Sequence, residues 1–126
     1  MALAYLIDTQ ALLWAADDAD RLGSEAVSIL ADPLNSVYIS MGSLWEISIK
    51  ASIGKLEIPE SFFGQVFASG YLKLSLEVEH LQRYRELPLH HRDPFDRLLV
   101  AQAQVEGLRI ISDDSALSGY EVETIW

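Results

Sequence analysis

Four carboxylates in this chain have types and positions suited to one site: Asp8, Glu46, Asp96 and Asp114. Carboxylates gathered in one place repel one another unless cations bind between them. Hard oxygen ligands suit Mg²⁺ or Mn²⁺. Such a site serves the hydrolysis of a phosphodiester, in which one or two metal ions activate water and stabilise the developing charge. Each acid also has a purely local explanation. Asp8, followed by Thr9, can cap a helix. Ser43-Leu44-Trp45-Glu46 has the spacing of a capping box. Asp93 before Pro94 has the form of N-cap and first helical residue, which places Asp96 in the first turn, where both acids suit the helix dipole. Asp114 follows an apolar run and can be a turn residue.

The surrounding elements give these positions a common meaning. Ala4 to Ile7 is a short apolar run, predicted to be a buried strand, and Thr9 to Ala16 has helical spacing. After a polar break at Asp17 to Asp20, Ser24 to Ala31 is predicted as a helix, with Pro33 beyond its end. Ser36 to Ser40 is predicted as a strand. A helix opens at Ser43 and runs to about Ser52, with Gly54 as its C-cap. Leu56 to Pro59 is extended, Glu60 to Ser69 helical, Tyr71 to Ser75 a strand, and Glu77 to Leu87 a helix stopped by Pro88. Asp93-Pro94 starts the most apolar helix, which ends at Gly107. Leu108 to Ser112 is a strand and Val122 to Ile125 an edge strand. Strands alternating with helices imply a three-layer α/β/α sandwich around a parallel sheet. Ligands of such folds bind beyond the carboxyl ends of the strands. All four acids fall at strand ends or in the first turns of helices.

Other residues are weaker candidates. Lys50, Lys55, Arg92 and Arg97 are placed to flank a crevice and meet phosphates, against the plainer reading of solvated or ion-paired side chains. His90 and His91 are adjacent, so they do not both face one metal in most backbone conformations, and surface or loop positions are expected. Thr9 and Ser43 lack the elbow motif of a hydroxyl nucleophile. Trp14 and Trp45 are expected to pack in the core, with the anchoring of a partner peptide as the alternative.

Composition narrows the classes further. The 126 residues fit one compact domain over 1–126. The net charge of −10 counts against passive coating of nucleic acid. It is compatible with an enzyme whose acids hold metal ions, and it favours a basic docking partner. There is no cysteine, which excludes disulfides and thiolate zinc sites and suits a reducing cytoplasm. No apolar run is long enough to span a bilayer, and no basic segment precedes the first apolar run as in a secretory signal.

Several strings resemble the PIN-domain family, and its VapC-type toxins in particular. They are Tyr5-Leu6-Ile7-Asp8-Thr9, Ser43-Leu44-Trp45-Glu46-Ile47 with Lys50, Gly54 to Pro59, Leu87 to Leu99 continuing through Ala101-Gln102-Ala103, and Ser112-Asp113-Asp114. His80 also falls where this subgroup often has a histidine. Gln10 departs from the histidine common after Asp-Thr, and Ser112 from the commoner threonine; neither removes an acid. The resemblance implies that Asp8, Glu46, Asp96 and Asp114 are catalytic, metal-binding acids, with Asp93 and Asp113 as auxiliaries and Asp114 favoured over Asp113 by the family spacing. It implies an Mg²⁺-dependent endoribonuclease, the toxin of a type II toxin–antitoxin pair, whose partners are its antitoxin and RNA. A homodimer is a further expectation. The alternatives are a nuclease of RNA processing without a toxin role, a degenerate PIN scaffold, and a non-catalytic α/β binding module such as a receiver domain. A receiver needs a lysine ending a late strand, and Leu108 to Ser112 and Val122 to Ile125 supply none.

Overall fold

The computed structural model describes residues 3–126. Its five strands are β1 (Ala4–Ile7), β2 (Ser36–Ser40), β3 (Leu72–Leu74), β4 (Arg109–Ile111) and β5 (Thr124–Ile125). All neighbouring strands pair in parallel, in the order β3-β2-β1-β4-β5. The chain leaves β1 towards β2 and β3 on one side and later returns to β4 and β5 on the other. The strand order therefore reverses between β1 and β4, and a crevice opens beyond their carboxyl ends.

Among the described residues six α-helices cover the sheet: α1 (Thr9–Asp17), α2 (Ser24–Ala31), α3 (Met41–Ser52), α4 (Phe62–Ala68), α5 (Val78–Glu86) and α6 (Pro94–Glu106). Side chains alternate across a strand, and β1 divides accordingly. Tyr5 and Ile7 join one core with residues of α1 to α4, whereas Leu6 joins another with Leu99, Val100 and Ala103 of α6. Ile111 and Ile110 divide in the same way. Two apolar cores on opposite faces of one sheet make the three layers that the alternation of elements predicts.

Most elements fall where the pattern places them, and α2 keeps its expected bounds. Three differ. The Glu60–Ser69 helix contracts to α4 because a turn precedes it, the Phe62 N–H donating to the Pro59 carbonyl at 3.0 Å. The last strand is reduced to Thr124–Ile125. The third difference bears on the site. Helix α3 starts at Met41, capped by the buried Ser40, whose hydroxyl accepts from the Gly42 N–H at 3.0 Å. Ser43 is already inside the helix and its hydroxyl has no hydrogen-bond partner among the described residues. Glu46 lies in the second turn, beyond the reach of an N-cap. The Ser43–Glu46 capping box is thereby replaced by a cap three residues earlier.

The far end of α3 closes as Gly54 suggests. With φ 75°, Gly54 donates to the Ala51 carbonyl at 3.3 Å and Lys55 to the Lys50 carbonyl at 2.9 Å, the paired bonds of a Schellman motif. The tryptophans part from the core expectation. Trp14 is half-buried against Trp126, ring centroids 5.7 Å apart. Trp45 is 64% exposed and meets Phe95 edge-on at 5.3 Å.

The two serines of α3 give opposite expectations. Ser40→Ala should cost about 1 kcal/mol in urea denaturation, the usual value of an N-cap. Ser43→Ala should be near neutral or stabilising, because a buried hydroxyl without a partner is removed. A larger loss at Ser43 than at Ser40 would restore the capping box.

Candidate active site

Strand β1 delivers Asp8 to the crevice. Its backbone N–H continues the ladder to the Ile111 carbonyl at 3.1 Å, so the residue is fixed against β4. Its carboxylate caps α1, accepting from the Ala11 N–H at 2.6 Å. Only 7% of the residue is exposed. Loss of hydration pushes its pKa up to about 6, against the hydrogen bonds from the Ser112 hydroxyl and Ala11 and with the added charges of Asp96 and Asp113. The cap reading of Asp8 is therefore met without excluding the site reading: the residue caps α1, and its charge is poorly solvated.

Helix α6 runs back from the carboxyl ends of the strands to the start of β4, so its first turn lies at the same crevice. Asp93 is its N-cap, accepting from the Phe95 N–H at 2.8 Å and the Asp96 N–H at 3.2 Å, with Pro94 as the first helical residue. Asp96 is half-buried. Burial raises its pKa first; Asp93 and Asp114 raise it further, opposed by the hydrogen bond and charge of His91. The His91 Nε2 lies 2.9 Å from the Asp96 carboxylate. One donor atom each from His91, Asp93 and Asp96 fall within 4.8 Å of one another. His91 is the half-buried loop histidine that its doublet led one to expect, and its ring in addition meets Asp96; its exposed neighbour His90 lies against the Tyr120 ring with centroids 5.0 Å apart. A ring contact made from an irregular loop leaves no periodicity in the sequence, so no local signal marks it.

After β4 the chain supplies Ser112, Asp113 and Asp114. Ser112 is buried, and its hydroxyl serves Asp8 while accepting from the Asp114 N–H at 3.0 Å. Asp114 is exposed and caps a short 3₁₀ helix, Ser115–Gly119, through the Ala116 N–H. The choice between Asp113 and Asp114 does not resolve to one residue. The charge of Asp113 acts on Asp8, and that of Asp114 on Asp96.

Glu46 comes from α3, which packs against both α1 and α6. Gly42 permits this close approach: a Cβ there would stand 2.5 Å from the Leu98 Cδ2. The Trp45–Phe95 contact then ties the turns carrying Glu46 and Asp96. Glu46 is 7% exposed, and its carboxylate meets the Lys50 Nζ at 3.1 Å. Lys50, Lys55 and Arg92 are exposed. Arg97 departs from its expected place beside phosphates. It is buried, donating to the carbonyls of Pro88 at 3.1 Å and Tyr84 at 3.4 Å and to the Tyr120 hydroxyl at 3.3 Å, with its guanidinium over the Tyr84 ring. The Thr9 hydroxyl, like that of Ser43, is buried without a partner among the described residues. His80 is fully buried between α5 and α6. Its Nδ1 accepts from the Glu77 N–H, which leaves Nε2 to donate to Glu106 at 2.9 Å and assigns it to packing.

The family model described as the PIN domain matches residues 5–122. No curated protein matches the chain. Among solved structures it is similar to the VapBC2 complex of Rickettsia felis bound to a DNA fragment from its promoter, with TM-score 0.73, 14% identity and 98% of each chain covered. A toxin–antitoxin complex from Klebsiella pneumoniae gives TM-score 0.67 and 17% identity over 97% of this chain and 96% of that one. FitAcB from Neisseria gonorrhoeae gives 0.67 and 16% over 100% and 97%. At these identities the likeness is one of fold.

The raised pKa of Asp8 sets a pH dependence. The native state takes up this proton more readily than the unfolded chain, so the charged carboxylate destabilises the metal-free protein above pH 6, and acidification through 6 towards 3.8 relieves it. Asp8→Asn keeps a good N-cap and removes the charge. With chelator present, it should be more stable than the parent by up to about 3 kcal/mol near pH 7.5, falling to roughly half that near pH 5. Urea denaturation at the two pH values measures this; a variant uniformly less stable would mean that Asp8 is only a cap.

Proposed function

Because the chain belongs to the PIN-domain family, a family of nucleases, we propose that it is a divalent-cation-dependent endoribonuclease and the toxin of a type II toxin–antitoxin pair. One observation carries the reading: Asp8 is buried and Asp96 half-buried at the strand-order reversal, burial raises the pKa of both, and the charge of Asp96 adds to it at Asp8 as those of Asp93 and Asp114 do at Asp96. Two carboxylates held in this way ask for a counter-charge. The donor set fits a hard cation, being carboxylate oxygens with a single imidazole at the edge. Asp8 and Asp96 would hold Mg²⁺ or Mn²⁺, with Glu46, Asp93, Asp113 and Asp114 around them. Bound there, the cation supplies an activated water and stabilises charge developing on the phosphoryl oxygens.

The protein's own residues do the positioning. Backbone N–H groups at the first turns of α1 and α6 fix the carboxylates of Asp8 and Asp93, His91 holds that of Asp96, and the Ser112 hydroxyl orients Asp8. Lys50 and Arg92, both exposed, meet the phosphates flanking the cleaved bond. The net charge of −10 confines attraction for RNA to the neighbourhood of the cation.

The toxin role is supported by the fold shared with solved toxin–antitoxin complexes and by two surface features. The crevice is acidic, which suits a basic antitoxin segment whose arginine or lysine lies beside Asp8 and Asp96. Between α1 and α4 a cavity of about 580 Å³ sets Leu13, Trp14, Phe62 and Val66 beside Asp17, Asp18 and Glu57, a mixed apolar and acidic seat for the same partner.

The test is cleavage of a panel of structured RNAs by the chain freed of any partner. Mg²⁺ or Mn²⁺ should support cleavage and chelator should stop it. Asp8→Asn and Asp96→Asn, each still folded, should lose more than about 100-fold in rate, as removal of several kcal/mol of charge stabilisation requires. Undiminished cleavage by either folded variant, or cleavage unaffected by chelator, would sink the assignment.

A further inference from the structure

The loop between α5 and α6 carries His91, and His91 holds Asp96. A ring contact of this kind, with side chains 28% and 23% exposed, is weakly held on its own. An imidazole on an irregular loop also has rotamer and backbone freedom to lose. The loop is nevertheless tied down at successive points. The Leu87 N–H donates to the Tyr84 carbonyl at 3.2 Å, and Arg97 takes the Pro88 carbonyl at 3.1 Å. The His91 N–H donates to the Tyr120 hydroxyl at 3.0 Å. That hydroxyl also accepts from the Arg97 Nη1 at 3.3 Å. A tyrosine hydroxyl has two acceptor positions, and both are filled.

We propose that Tyr120 and Arg97 are positioning residues of the site, holding His91 in the place from which its ring fixes the Asp96 carboxylate. The proposal rests on the nuclease reading for its purpose and on the geometry for its existence. Tyr120 is 5% exposed and Arg97 is 8% exposed. A buried guanidinium is costly unless its donors are satisfied, and here its partners are the start of the loop, the Tyr84 carbonyl and ring, and the Tyr120 hydroxyl. A clamp serving only to pack α5 against α6 would need no hydroxyl reaching the backbone of His91. This one ends on the amide of the residue whose ring meets Asp96 at 2.9 Å. The connection runs from Arg97 through Tyr120 and His91 to Asp96. It couples the segment after β4 to the first turn of α6, and so joins the two chain segments that flank the crevice. Asp96 keeps its other carboxylate oxygen for a cation.

Tyr120→Phe removes the hydroxyl and keeps the ring on His90. In the metal-free chain, with thermal unfolding confirming the fold, the ¹⁵N signals of the His91 ring should move, because Nε2 loses its fixed place on Asp96. Arg97→Lys, which keeps the charge but loses the fork, should move the same signals. Mn²⁺ affinity, measured by direct titration, should fall about 10-fold in Tyr120→Phe, the scale on which groups supporting a metal ligand act. His91→Ala should lose a similar factor, and the double variant should lose no more than His91→Ala alone. Unmoved His91 ring signals in Tyr120→Phe would overturn the proposal. So would losses that multiply in the double variant, since Tyr120 would then act by another route. A parent chain that bound no Mn²⁺ would instead refute the nuclease reading, while the ring signals would still decide whether the clamp exists.

Discussion

The carboxylate of Asp8 is buried at the carboxyl end of the central strand, where hydrogen bonds from Ala11 and Ser112 only partly offset its lost hydration. The fold dictates that place. Strand β1 has partners on both edges and a core on both faces, so the residue that ends it keeps little contact with bulk water. Asp96 arrives beside it because α6 must run back across the sheet before β4. Two acids at the point where the strand order reverses give the molecule a charge to be neutralised by a proton or by a cation.

The same acids serve the scaffold. Asp8, Asp93 and Asp114 each give one carboxylate oxygen to backbone N–H groups at a helix start. A cap of this kind fixes the direction of the carboxylate and leaves its second oxygen free. The positive helix ends of α1 and α6 soften the repulsion that grouping the acids creates. One geometry is thus compatible with both capping and ligation, and the N-cap spacing of these acids does not speak against a site. Glu46 is placed differently. It stands in the second turn of α3, a helix that Gly42 lets approach Leu98 of α6 and that the Trp45–Phe95 contact ties to the first turn of α6.

Much of this was legible in the chain. The alternation of short apolar runs with helical spacing gives the parallel three-layer fold, and Asp8, Asp96 and Asp114 are marked by their places after strands or at a helix start. What stayed hidden was non-local or counter to type. Ser40 reads as the end of a strand, yet it is also the cap of α3, because the chain turns from β2 into the helix without a linker. Ser43 and Glu46 imitate a capping box by spacing alone. Arg97 reads as an exposed cation, but the carbonyls that accept from it lie nine and thirteen residues away in sequence. Trp45 reads as core and is exposed. The role of Tyr120 depends on a contact twenty-nine residues distant, which no local pattern announces.

If a cation is what completes the acidic crevice, its binding must displace the proton that Asp8 holds in its absence. Calorimetric titration of Mg²⁺ or Mn²⁺ in buffers of different ionisation enthalpy counts that proton directly. With the Asp8 pKa near 6, roughly half a proton should leave Asp8 per bound cation near pH 6, falling towards none near pH 8 and absent in Asp8→Asn. Cation binding near pH 6 without proton release, or no binding at all, would contradict the account.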